Sequence, residues 1–86
     1  IKIQIYKSII FVNQEVLLMK TIYPILTQEI KSGRISVKNI ADLIGSDEET
    51  VIDKLHGAEE FTINEAMNIN VELLPQFSFE QLFTQN

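Results

Sequence analysis

Apolar positions recur at helical spacing over most of this chain. Between residues 21 and 86 five segments carry a one-sided apolar stripe, and most open on a residue suited to cap a helix. In the first, Tyr23, Leu26 and Ile30 fall at i, i+3 and i+7, with Ile22 and Ile25 on the flank. Pro24 suits its first turn, where a missing N–H has no partner to lose, and Ser32-Gly33 ends it. Ser36 then precedes Val37, Ile40, Ala41 and Ile44, and Gly45 stands where a left-handed C-cap is wanted. In Ser46-Asp47-Glu48-Glu49, Ser46 and Glu49 have capping-box spacing and Asp47 is the competing N-cap. The helix that follows turns Val51 and Leu55 inward, with Ile52 a further candidate, and stops at Gly57.

Thr62 and Glu65 form another capping box. Behind it the pattern places Ile63, Ala66, Met67, Ile69 and Leu73 on the apolar side of a helix closed by Pro75. Ser78 and Gln81 open a short last helix with Phe79, Leu82 and Phe83 inside. Phe61, Phe77, Phe79 and Phe83 are at staple and core spacing and are expected in the core. With connections this short, the pattern predicts an all-α, compact bundle of four or five helices and no strand after residue 20.

Residues 1–20 read differently, as an N-terminal extension before a domain at 21–86. Ile1, Ile3 and Ile5 alternate with Lys2, Gln4 and Tyr6, a weak strand signal, and Ile9-Ile10-Phe11-Val12 is apolar without period. Gln14 to Met19 can be encoded by bases that contain a ribosome-binding sequence ahead of an ATG, which would make Met19 a start and 1–18 a translated leader. The alternative is a genuine extension that packs on the domain or pairs with a second chain. No sustained apolar region with a small-residue cleavage site follows Ile1-Lys2-Ile3, and no apolar run reaches membrane-spanning length.

Composition narrows the chemistry. At 86 residues only one core can be built. The lack of cysteine removes disulfides and thiolate chemistry and suits a reducing, cytoplasmic setting. His56 is the single histidine, and the sequence holds no nucleophile motif and no phosphate-binding glycine loop, so neither an enzyme, a metal, a cofactor nor a small-molecule substrate is expected. The charge is the awkward fact. The chain carries a net −5, and residues 21–86 hold four basic residues against eleven acids, a net of −7.

Residues 36–57 carry the most specific spacing. Ala41 is small enough for two helices to cross closely, Gly45 tolerates a left-handed turn, and Val51 is β-branched and placed to lock the second helix on the first. This is the physical requirement of a helix-turn-helix.

The stretch from Tyr23 to Phe83 resembles the lambda-repressor-like helix-turn-helix domains of the xenobiotic-response-element (XRE) family, in the short phage-encoded form found in Gram-positive bacteria. The resemblance rests on Tyr23-Pro24, Ile35-Ser36 and Ile40-Ala41-x-x-Ile44-Gly45. It continues through Thr50-Val51-x-x-Lys54-Leu55-x-Gly57, Phe61-Thr62-x-x-Glu65-Ala66 and the closing Leu82-Phe83. It implies a phage or prophage transcription regulator that puts helix 47–56 into the major groove of DNA, commonly as a homodimer. By family position the DNA-facing residues would be Asp47, Glu48, Thr50, Ile52, Asp53 and His56, with Glu49 beside them. Lys54 would add a polar contact, and Lys38, Lys31 and Arg34 would reach the backbone.

Family members carry Ser, Arg, Gln, Asn or Lys at several of these places, and Val37 stands where a phosphate-holding glutamine is common. Four acids on a helix meant for phosphates oppose counterion release. Acids in a helix's first turn also answer its macrodipole on a plain solvated surface. Two functions are therefore expected in competition: a DNA-binding regulator, and a helix-turn-helix module whose acidic third helix binds a basic protein.

Overall fold

The computed structural model describes residues 18–86, and five α-helices and one wider, π-type turn make up the regular structure within them. We number them α1 (Pro24–Lys31), α2 (Val37–Ile44), α3 (Glu48–His56), α4 (Ile63–Asn68) and α5 (Phe79–Phe83). The alternating residues 1–6 and the apolar residues 9–12 lie outside the described residues.

Each of α2 to α5 starts on a side chain that closes its first turn. The hydroxyls of Ser36, Thr62 and Ser78 accept from the N–H groups of Asn39, Glu65 and Gln81, and the third-residue side chain reaches back to the cap N–H in all three. The choice between Ser46 and Asp47 falls to Asp47, whose carboxylate accepts from Thr50 N–H at 2.8 Å. Each such cap is worth about 1 kcal/mol. α1 has no side-chain cap and instead uses Pro24 at its first position. Gly45 (φ 73°) and Gly57 (φ 84°) end α2 and α3 in the left-handed region, as the pattern predicts.

The core follows the expected stripes through α1 to α3. Tyr23, Leu26 and Ile30, then Val37, Ile40 and Ala41, then Val51, Ile52 and Leu55 are all buried. α2 packs on α3 and on α4, while α1 and α4 both pack on α5. Tyr23, Phe61 and Phe83 form a mutual three-ring cluster with centroids 5.6–5.7 Å apart, joining the start of α1, the α3–α4 loop and α5. All four of Phe61, Phe77, Phe79 and Phe83 are half-buried; the Phe79 ring lies against Phe83 at 5.3 Å, and Phe61, Phe77 and Phe83 pack against the core from outside. At the Tyr23 phenol, burial is the main influence and raises its pKa, partly offset by a hydrogen bond with Gln85. Asn86 returns to the start of this region, donating from its backbone to Ile22 C=O at 3.0 Å and from its side chain to Thr21 C=O at 3.0 Å.

The fourth segment departs from expectation. Ile63 and Met67 were expected inside, but they are 68% and 50% exposed. α4 continues into a wide turn over Ile69–Leu73 with i→i+5 bonding, closed by Leu74 N–H donating to Ile69 C=O at 3.2 Å. That wider winding lets Ile69 and Leu74, five residues apart, both enter the core beside Ala66. Asn70 holds the end of the turn, its Nδ2 donating to Leu74 C=O and Phe77 C=O at 3.1 and 2.8 Å. Within α4 itself the inward side is that of Ala66, continued by Ile69, so Ile63 and Met67 fall on the outward side and the expectation that puts them inside is corrected.

Candidate nucleic-acid interface

The unit formed by α2, the Gly45 turn and α3 has the buried residues that its spacing demands. Ala41 is 3% exposed and Val51 is inaccessible, and the turn is closed by Ser46 N–H donating to Ala41 C=O at 3.0 Å. No heavy atom lies within 4 Å of where a Cβ on Gly45 would sit, so the glycine is required by its φ and not by crowding. At the other end of α3 the space is tight. A Cβ on Gly57 would stand 3.1 Å from Ile22 Cδ1, and Ile22 N–H donates to Leu55 C=O at 2.9 Å.

With Val51 and Leu55 inward, α3 turns a mixed polar face outward. Asp47 and Glu48 are exposed, and Glu49, Thr50, Asp53 and His56 are half-buried. Part of the expected contact set is not on that face. Ile52 is 2% exposed and packs in the core, so it has no groove-facing surface. Lys54 is 6% exposed, and its ammonium is spent inside the fold. Its Nζ donates to Glu65 Oε1 at 2.7 Å and to Glu60 C=O at 3.3 Å, and it lies 5.7 Å from the Phe61 ring centroid. The expectation that Lys54 contacts DNA does not fit this placement. It is the cross-brace between α3 and the start of α4.

Glu65 thus has two tasks. The same Oε1 accepts from Thr62 N–H at 3.0 Å, completing the capping box of α4, and from Lys54. Burial alone would raise its carboxyl, but the Lys54 and Thr62 hydrogen bonds and the Lys54 charge together hold it below its ordinary value. Sequence reading found the capping box and missed the ion pair, because partners eleven residues apart on different helices leave no periodic signal.

The remaining basic residues near α2 are accessible but partly engaged. Arg34 is 64% exposed at its side chain, and its Nη1 donates to both oxygens of Glu29, at 3.1 and 2.9 Å. Glu29 itself is 3% exposed, a buried acid that the apolar stripe of α1 does not announce. Lys38 lies 3.5 Å from Asp42, with both side chains about two-thirds exposed. Lys31 is exposed at the end of α1. Three cations therefore line the α1–α2 junction, two of them facing a carboxylate of their own chain.

Among the described residues no cluster of three or more His, Asp or Glu is placed to hold a metal ion. No helix there is long and apolar enough to cross a membrane. No family model, no curated protein and no solved structure matches the chain.

Proposed function

We propose that the chain is a helix-turn-helix DNA-binding regulator of transcription, of the phage or prophage type that its sequence resembles. The observation that carries the reading is the α2–turn–α3 unit. Its closely packed inner residues, Ala41 and Val51, leave one side of α3 facing outward on a short, rigid, doubly capped helix. Such a helix fits the width of the major groove. Thr50 and His56 supply polar contacts, and the carboxylates of Asp47, Glu48 and Asp53 can accept from cytosine N4 amino groups. Lys31, Arg34 and Lys38 would meet the phosphates. Only Nη1 of Arg34 is tied to Glu29, which leaves other guanidinium donors for a phosphate oxygen.

The withdrawal of Lys54 favours a second reading. Without it the outward side of α3 holds Asp47, Glu48, Glu49 and Asp53 and no Lys or Arg, so the same face suits a basic protein surface. An electrophoretic mobility shift with the DNA upstream of the chain's own gene separates the two. A regulator retards that fragment at low salt, whereas the protein-binding module leaves it free and is retained on an immobilised basic polypeptide.

A further inference from the structure

We infer that the outer side of α4 docks a basic amphipathic helix of a partner protein, on a surface separate from the outward side of α3. Ile63, Met67 and Val71 recur every fourth residue and are 68%, 50% and 61% exposed. With Asn70 and Phe79 they line a shallow cleft of about 250 Å³ whose walls are apolar except for Asn70. The fold does not use them, because Ala66, Ile69 and Leu74 fill the core from this segment. Their exposed apolar area is on the order of 300 Å², the size at which a patch on a monomer is often a binding site. The stripe spans nine residues, roughly 12 Å from Ile63 to Val71 at about 1.5 Å per step, enough for three anchors of a helical ligand at i, i+4 and i+7.

Charge selects the partner. From residue 55 to the end the chain has no Lys or Arg. Glu72 and Glu80 directly follow Val71 and Phe79, and both are exposed. An apolar stripe with Glu72 and Glu80 next to its members in sequence and no Lys or Arg after residue 54 complements a helix whose leucine-type face is flanked by Lys and Arg. It disfavours a second copy of this chain, which would bring like charges together. Contact area points the same way. Doubling the stripe across a two-fold gives roughly half the 1,200 Å² at which stable interfaces begin.

The test uses the whole 86-residue chain, isotopically labelled, titrated with an acetylated helical peptide of about 16 residues bearing Leu at i, i+4 and i+7 and Lys on both flanks. The same peptide with Glu in place of Lys is the control. The expected dissociation constant is on the order of 10–100 µM, with shifts centred on Ile63, Met67, Val71 and Phe79. Met67→Ser and the pair Glu72→Lys with Glu80→Lys should each weaken binding about tenfold, with the melting temperature little changed because all three positions are exposed. Equal binding of the Glu peptide, shifts centred elsewhere or no binding at all would overturn the inference. So would concentration-dependent self-association through these resonances, or contacts from residues 1–17 to Met67 in the free chain.

Discussion

Replacing Glu65 with alanine should be the most damaging single change to a partly solvated side chain in this protein. The Glu65 side chain is 21% exposed, but the Lys54 side chain that it pairs with is 8% exposed. Removing the carboxylate leaves a buried ammonium with one 3.3 Å bond to Glu60 C=O and the face of Phe61. Breaking a fully buried ion pair from one side costs about 3–5 kcal/mol. The solvent at Glu65 reduces that, and the lost bond to Thr62 N–H adds a few tenths, so about 2–3 kcal/mol is expected. For a domain of this size that lowers the melting temperature by roughly 10–20 °C. Lys54→Met should be far milder, about 1 kcal/mol or less, because it keeps the apolar stem and leaves Glu65 free to cap α4. Thermal melts followed by circular dichroism at neutral pH measure both. If Lys54→Met costs as much as Glu65→Ala, the buried-ammonium argument is wrong.

Other outcomes follow from the same geometry. Because Glu65 is held below its ordinary pKa of 4.5, its contribution is complete above that value. It is lost as pH falls through the lower folded-state pKa. Glu65→Gln should therefore flatten the loss of stability below pH 4.5 in acid titrations of the urea midpoint, and an unchanged slope would count against the pair. Gly45→Ala should cost about 1–2 kcal/mol from its left-handed φ alone. Gly57→Ala should cost more, since Ile22 Cδ1 must move, and adding Ile22→Val should remove most of the difference in urea unfolding. Asp47→Ala should act with opposite signs, losing about 1 kcal/mol of stability with the α3 cap while raising low-salt affinity for nonspecific DNA. Equal signs would remove the electrostatic objection.

The parts of the fold written locally were legible. Ser36, Thr62 and Ser78 mark helix starts because a cap and its third-residue partner are neighbours in sequence. Gly45 and Gly57 mark ends because only a left-handed residue closes those turns. What stayed hidden depends on distant packing. The i→i+5 winding at 69–73 has no local signature, and which side of the short helix before it faces inward is set by Ala66 and Ile69, which leaves Ile63 and Met67 outside. Lys54 reads as a DNA contact until Glu65 is brought against it, and nothing in the α1 stripe marks Glu29 as buried beneath Arg34. The spacing at 36–57 is thus realised as two packed helices and a left-handed turn, while two residues expected to contact DNA, Ile52 and Lys54, hold the fold together.

On the proposed function the outward side of α3 meets DNA, with Lys31, Arg34 and Lys38 on the phosphates. Fluorescence anisotropy of a labelled duplex from upstream of the chain's own gene, at 50 and 200 mM salt, decides whether it does. Three phosphate contacts imply a salt slope of about −2.7 and hence roughly a 40-fold loss of affinity between those concentrations. The account expects that loss, together with about a tenfold weakening by Thr50→Ala combined with His56→Ala. No binding at 50 mM salt, or binding that is indifferent to both α3 substitutions, would contradict it.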